Sequence, residues 1–291
     1  MPRSKRDTGS GGARTASAPP AHRPRRRFGQ HFLEPAWVAR LVAALDAQAD
    51  DTFIEIGPGK GALTAPLATR AGRVVAVEID RDLAAHLSAQ ALPGVAVVCA
   101  DVLRIDLAAL VAEEAARSGG RVRIVGNLPY NISSPILFRL LALAAGGAPV
   151  HDATLMLQRE VADRLAARPG SRDYGRLTIH TALYADVTRL FVLPPGAFRP
   201  APAVQSAVVR LSFHPAAAPV GDPEGFDGLL RQIFGLRRKT LANALKPLTA
   251  ARGLSATACL ASAGLDGRRR PETLDLAELA RLHTALVSPK P

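Results

Sequence analysis

A chain of 291 residues is long enough for two domains, one of about 150–200 residues and a smaller one. Its 48% content of Ala, Val, Ile, Leu, Met, Phe, Trp, Tyr and Cys excludes a wholly disordered protein. Two cysteines, Cys99 and Cys259, exclude a disulfide framework or a four-cysteine zinc site; no His/Cys cluster has metal-ligand spacing, and no run of about 18 apolar residues reads as a membrane span, so a reducing cytosol and a chain without metal fit best. The formal charge of +12 is unevenly placed. Residues 1–27 carry eight Lys/Arg against one acid, residues 223–291 carry eleven against six, and the stretch between balances to zero. Two basic ends around a neutral middle suit a polyanion lying across both, or else are solvated charge with a basic tail.

Residues 1–26 are Gly, Pro, Ser, Ala and Arg without apolar periodicity and read as a disordered basic tail. They lack the apolar stretch of a signal peptide, and their glycines and prolines spoil the amphipathic helix of a transit peptide. From Phe28 strands and helices alternate. A helix over Pro35–Ala47 precedes a strand at Thr52–Ile56; helix Ala62–Arg70, strand Arg73–Glu78, helix Asp82–Ala91, strand Val95–Cys99, helix Leu107–Arg117, strand Val122–Gly126 and helix Pro135–Ala144 follow. Strands are expected at Ala153–Leu157 and Thr188–Leu193, then a Pro-rich turn at Pro194–Pro202 and a last strand at Val204–Phe213. This alternation predicts an α/β fold, a parallel sheet with helices on both faces. After Pro223 only short helices are expected, at Gly225–Phe234, Arg237–Thr249, Ser255–Ala263 and Leu276–Leu286. The chain divides accordingly into a tail (1–26), a sheet domain (27–214) and a small all-helical domain (222–288).

The segment Phe53-Ile54-Glu55-Ile56-Gly57-Pro58-Gly59-Lys60-Gly61-Ala62 is a strand, a glycine turn and the start of a helix. Glycines let a backbone turn tightly and let a ligand approach without a Cβ in the way. The next strand ends at Glu78, about 20 residues further on, where an acid takes both hydroxyls of a ribose. The third ends Cys99-Ala100-Asp101-Val102, where an acid reaches the edge of an adenine ring. Three strand tips thus offer a nucleotide site on one sheet edge. NAD and S-adenosylmethionine both remain candidates. Glu55 favours the methyl donor, because a carboxylate there suits a cationic sulfonium and repels a pyrophosphate, and nothing further on resembles a hydride-transfer site.

The fourth strand ends Asn127-Leu128-Pro129-Tyr130-Asn131-Ile132. Asn-Leu-Pro-Tyr at this tip resembles the signature of adenine-N6 methyltransferases. Together with Phe28-Gly29-Gln30-His31-Phe32-Leu33, Phe198–Arg210 and Arg237-Arg238-Lys239-Thr240-Leu241, it is similar to the ribosomal RNA adenine dimethyltransferases, over about residues 25–287. Arg237–Leu241 and Arg270-Pro-Glu-Thr-Leu274 point to the small-subunit branch. The resemblance implies a Rossmann-like class I methyltransferase sheet using S-adenosylmethionine as cofactor. It implies an enzyme that dimethylates two adjacent adenosines near the 3′ end of the 16S RNA of the immature small subunit; nothing in the sequence suggests more than a monomer, and the two cysteines fit a cytoplasmic location. It places the methionine part of the donor against Gln30, His31 and Leu33, with Asn127 as a further contact. The family commonly has Gln-Asn-Phe-Leu where this chain has Gln30-His31-Phe32-Leu33; imidazole still forms one hydrogen bond, so His31 stays a contact.

The chemistry explains the residue types. The exocyclic nitrogen of adenine is a poor nucleophile, because its lone pair is delocalised into the ring. Two acceptors for its N–H groups draw it toward tetrahedral geometry: the Asn127 side-chain oxygen and, by family analogy, the Leu128 carbonyl. Pro129 stiffens the turn. Tyr130 stacks on one purine face and Phe198 on the other. No general base is needed, so catalysis is orientation and electrostatics. Arg237-Arg238-Lys239 is expected to open a helix and Arg268-Arg269-Arg270 to sit in a loop, both against RNA phosphates. Three other readings remain: a large-subunit (23S) resistance methyltransferase, a non-catalytic ribosome-assembly factor on the same scaffold, and a nicotinamide dehydrogenase.

Overall fold

Residues 31–287 are described by a computed structural model; the expected basic tail and Gln30 lie outside the described residues. Two elements open the fold, β1 (Phe32–Leu33) and helix α1 (Pro35–Leu45), which begins with a proline at a position whose N–H has no helical partner anyway. Then the alternation takes hold: β2 (Thr52–Ile56), α2 (Thr64–Ala68), β3 (Arg73–Glu78), α3 (Arg81–Ala89), β4 (Val95–Cys99), α4 (Leu107–Ser118), β5 (Val122–Asn127), α5 (Ser133–Ala145) and β6 (Val150–Gln158). Side-chain caps mark where helices start. Asp80 accepts from the Asp82 N–H and Asp106 from the Ala109 N–H. Strands β2, β3 and β5 are almost wholly buried and built around short apolar runs, as expected of strands covered on both faces.

Helices α6 (Arg159–Leu165) and α7 (Arg176–Tyr184), which the sequence pattern does not reveal, carry the chain from β6 to β7 (Ala185–Leu193). A Pro-rich connection holding the short β8 (Phe198–Arg199) leads to β9 (Ser206–Phe213). The sheet order is β4-β3-β2-β5-β6-β9-β7. The expectation of an all-parallel sheet needs correction: β9 inserts antiparallel between β6 and β7. A parallel return needs a crossover, usually helical, whereas the stretch between β7 and β9 carries four prolines and forms no α-helix.

Helices α8 (Pro223–Gly235), α9 (Leu241–Ala250), α10 (Ala256–Ala263) and α11 (Leu276–Val287) complete the described chain. Arg237-Arg238-Lys239 lies in the turn between α8 and α9 and does not open a helix; α9 begins at Leu241 after Thr240. One apolar cluster runs without interruption from Ile54 and Ile124 in the sheet to Phe226, Leu230, Leu245 and Leu282 in these helices. A second, on the opposite face, packs Leu41, Leu45, Phe53, Met156 and Phe198.

At the N-terminal ends of β2, β5 and β6 sits a buried charged knot. Arg123 donates to Asp152 and to Asp51, each at 2.9 Å, and to the Leu45 carbonyl. Its guanidinium also lies 4.9 Å from the Phe53 ring centre. The chain leaves β2 for β3 and β4 on one side and returns to β5 and β6 on the other. The carboxyl ends of β2 and β5 therefore flank a topological switch point, where an open α/β sheet splits to form a cleft.

Candidate active site at the switch point

A cleft enclosing about 1080 Å³ of space between atoms, its open mouth included, occupies that position. Its floor is the glycine turn. Gly57, Gly59 and Gly61 take φ values of +69°, +59° and +82°, a left-handed region that strains any other residue. A Cβ on Gly59 would meet the Phe32 ring at 3.1 Å.

Three carboxylates face the cleft. Glu78 ends β3 and accepts from the Gly59 and Asp80 N–H groups at 3.0 and 2.9 Å, which fixes its orientation. Asp101, just beyond β4, accepts from the Leu103 N–H at 2.9 Å, and Val102 packs beside it. Glu55, the penultimate residue of β2, is 2% exposed and accepts from the Thr64 hydroxyl at 2.6 Å. Burial, with the neighbouring Glu78 charge, pushes its carboxyl up to about 7 even against the Thr64 bond.

The far wall comes from the tip of β5. Asn127 donates through Nδ2 to the His31 carbonyl at 2.7 Å. A carbonyl only accepts, so the amide has one orientation, with Oδ1 as its remaining acceptor. Leu128 turns its side chain into the core at 1% exposure, and its N–H donates to the Met156 carbonyl. The turn's own hydrogen bonds use the carbonyls of Pro129 and Tyr130, not that of Leu128. Tyr130 lines the cleft with its hydroxyl 2.6 Å from Ser206 Oγ; burial raises its phenol above the ordinary value, against the Ser206 bond.

The roof is a strap between distant segments. Strands β1 and β8 pair antiparallel, Phe32 opposite Arg199 and Leu33 opposite Phe198, and Arg199 bonds Glu34 at 2.9 Å. His31 Nδ1 lies 2.7 Å from the Pro200 carbonyl and so carries the proton, while its ring stacks on Tyr130 at 5.6 Å and 24°. His31 and Leu33 both line the cleft. Phe198 does not. Its ring is 0% exposed within the core of Leu45, Phe53 and Met156, which corrects its expected place on the open face of a base. In an antiparallel pair Phe198 stands opposite Leu33, and here that position faces the apolar layer.

Arg238, Lys239 and Arg270 are exposed, and among the described residues none has an ion-pair partner. Arg269 is different: it grips Glu278 through both Nη atoms and donates to the Thr273 carbonyl, so it is a structural clamp and no free phosphate ligand. Arg237 is half engaged, with Nη2 on the Ser171 carbonyl at 2.9 Å.

Two groups of lining residues escape sequence reasoning. Ile79 is 46% exposed on the cleft rim beside Glu78, an apolar side chain presented to whatever planar group lies there. Its signal is its place directly after the strand-tip acid. Val38, Leu41 and Met156 line the cleft from α1 and β6 and read from sequence only as core.

A family profile described as ribosomal RNA adenine dimethylase matches residues 21–281. The chain belongs to the ribosomal RNA adenine dimethylase family. With that family it is an rRNA methyltransferase. It is 45% identical over 262 residues to the ribosomal RNA small subunit methyltransferase A of Xanthomonas euvesicatoria, covering 89% of this chain and 94% of that one. To the protein of the same name from Anaeromyxobacter dehalogenans it is 46% identical, covering 91% and 94%. A dimethyladenosine transferase from Plasmodium falciparum shares the fold at TM-score 0.69 and 24% identity, over 87% of this chain and 96% of that one. The 23S rRNA methyltransferase ErmE superposes at TM-score 0.59 with 27% identity, over 88% and 100%. The class I methyltransferase sheet is thus common to the family and to this chain.

Proposed function

We propose that this chain transfers methyl groups from S-adenosylmethionine to the N6 atoms of two adjacent adenosines near the 3′ end of small-subunit (16S) ribosomal RNA, two to each, within the immature subunit. Residues 27–214 carry the chemistry and residues 222–288 hold RNA. The observation that carries the reading is the Asn127 amide: its NH2 is committed to the His31 carbonyl, so the side chain keeps an uncharged acceptor oxygen at the switch-point cleft.

The residues present fit the donor. Glu78 suits the ribose hydroxyls, Asp101 the amino edge of the adenine, Val102 and Ile79 its faces, and Glu55 the cationic methionine end, with His31 and Leu33 closing that end. A pyrophosphate would meet three carboxylates in the same cleft, which disfavours a dinucleotide. Bound there, the donor supplies a methyl carbon on a positively charged sulfur.

The remaining work belongs to the protein. Oδ1 of Asn127 and the Leu128 carbonyl accept hydrogen bonds from the N6 N–H groups of the target adenine (two in the first transfer, one in the second) and aim its lone pair, and the proton made acidic as the N–C bond forms leaves to solvent. Both acceptors are neutral, so they stabilise the positive charge that grows on nitrogen without forming a tight ion pair with the donor. Tyr130, pinned through its hydroxyl to Ser206, offers a stacking face worth about 1–3 kcal/mol against the cost of unstacking the nucleotide. Pro129 holds the turn that presents both acceptors.

The test is direct. Immature small subunits and protein-free large-subunit RNA are each incubated with the protein and donor, and dimethyladenosine is mapped by mass spectrometry. Two adjacent dimethyladenosines in the small-subunit RNA alone are expected; modification of the large-subunit RNA alone, or of neither, overturns the reading.

A further inference from the structure

The loop between α6 and α7 carries charges that the methyl-transfer cleft does not use. Residues Ala166–Gly175 form neither helix nor strand, and Arg168 and Arg172 stand exposed on them. Among the described residues neither has an ion-pair partner. The loop is nevertheless firmly held, because it is laced to the turns that connect the C-terminal helices. The Gly170 N–H donates to the Glu272 carbonyl at 2.6 Å, Arg237 Nη2 donates to the Ser171 carbonyl at 2.9 Å, and the Tyr174 hydroxyl donates to the Leu274 carbonyl at 2.8 Å. Tyr174 is buried and packs on Phe234.

These bonds have a geometric consequence. Arg172 follows Ser171, to which Arg237 is bonded, and Arg238 and Lys239 follow Arg237. Arg168 lies two residues before Gly170, which is bonded to Glu272, and Arg270 lies two residues before Glu272. Five exposed cations from three separate segments, none with an ion-pair partner among the described residues, therefore lie within two residues of these bonds, along one seam. The acids nearby are largely spoken for: Glu160 pairs with Arg164, and the Glu272 carboxylate lies 3.9 Å from Arg237 Nε, leaving Asp173 as the exposed acid of the loop. A polar hollow of about 1120 Å³, lined by Arg164, Arg172, Asp173, Arg176 and Arg237 among others, opens beside it.

We infer that Arg168 and Arg172 extend the RNA-binding surface of Arg238, Lys239 and Arg270 across the junction between sheet and C-terminal helices, forming one seam for a sugar–phosphate backbone. The inference rests on the proposed function for the identity of the RNA. A membrane or a protein partner is less well matched, since none of the exposed large apolar side chains of the described residues (Ile79, Val204, Val287) belongs to these segments. Guanidinium groups on a pre-ordered loop suit phosphate, because little conformational freedom is lost on binding.

The experiment is a salt titration. Binding of the full chain to small-subunit ribosomal RNA is measured by filter retention across potassium chloride concentrations, for the wild type, Arg168→Gln/Arg172→Gln and Arg168→Lys/Arg172→Lys. Each lost phosphate contact reduces the log–log slope by about 0.7 on single-stranded RNA. The glutamine pair is expected to reduce it by about 1.4 and to bind severalfold more weakly, and the lysine pair to restore the slope. An unchanged slope in the glutamine pair overturns the proposal. So does a loss that lysine fails to restore, since that marks a structural role. A protein that binds with the full wild-type slope yet methylates no small-subunit RNA would instead sink the proposed activity and leave the seam standing.

Discussion

Asn127 and His31 are joined by a single bond, from Nδ2 of the amide to the main-chain carbonyl, at 2.7 Å. The bond is made to backbone and survives a change of side chain at position 31, so it imposes the same amide orientation whether that residue is histidine or asparagine. Asn127→Asp should therefore be nearly as damaging as Asn127→Ala. Aspartate sets a carboxylate oxygen against the His31 carbonyl, acceptor against acceptor. Each variant is expected to lose about 100-fold or more in kcat while binding RNA much as the wild type does. Single-turnover methylation with a parallel RNA-binding assay checks this, and near-normal turnover in Asn127→Asp would remove the acceptor role.

The buried Glu55 carboxyl gives a pH signature. With its pKa at about 7 in the free protein, it is largely protonated at pH 6 and largely ionised at pH 8. A cationic donor is held better by the ionised form. Donor affinity should rise with pH and level off above 7, being up to about tenfold weaker one unit below. Calorimetry between pH 6 and 8, in buffers of different ionisation enthalpy, should also show a proton released on binding near neutrality, and Glu55→Gln should abolish both effects. Stability responds in the opposite sense. A carboxyl with a raised folded pKa binds its proton more tightly in the folded chain, so its contribution declines as pH climbs from the ordinary carboxyl range of about 4.3 to 7. Glu55→Gln should accordingly be more heat-stable than the wild type at pH 8, as a thermal melt will show.

Phe198 is the residue whose role changes most. Enclosed at 0% exposure, it should behave as core: Phe198→Ala is expected to cost about 3–5 kcal/mol in urea denaturation, and Phe198→Leu much less, with activity retained in the cold. A Phe198→Leu protein of normal stability but without turnover would restore its stacking role.

The Arg123 knot governs the acid limb. Burial drives the Asp51 carboxyl upward, but the Gln48 N–H, Arg123 and Arg121 outweigh it and hold it below the ordinary range. A depressed folded pKa means stabilisation present above the unfolded value and lost as pH falls through the folded one. Asp51→Asn should cost about 3–5 kcal/mol at pH 7, since it strands half of a buried guanidinium's charge. The gap from wild type should narrow below about pH 4, followed by denaturant titration at both ends.

What was legible in the sequence follows its physics. β2, β3 and β4 match their predicted bounds to the residue, because each is a short β-branched run stopped by a charged, turn or cap residue. That the glycine turn and the acids at positions 55, 78 and 101 share one cleft was legible because each lies at or next to the carboxyl end of a parallel strand. α6 and α7 were not. The first is seven residues with charged flanks, and the second follows Tyr174-Gly175, whose buried role depends on Leu274, a hundred residues away. Phe198 misled for the same reason: whether an aromatic beside two prolines faces a cleft or a core is decided by its partner strand, and that pairing leaves no local trace. The arginines divide likewise. Arg269 and Arg270 are neighbours in sequence, yet only tertiary structure shows one clamped by Glu278 and the other without an ion-pair partner among the described residues.

The pairing of Phe32–Leu33 with Phe198–Arg199 closes a loop of more than 160 residues with a few main-chain bonds. Its entropy cost grows only slowly with that length, but its timing is fixed by synthesis, since β8 is among the last pieces of the sheet region to leave the ribosome. The nascent chain can lay down β2 to β6 well before the roof exists. A product halted short of Phe198 should be a partly ordered sheet with an uncovered donor site, so methyl-transfer competence arrives late in the enzyme's own translation.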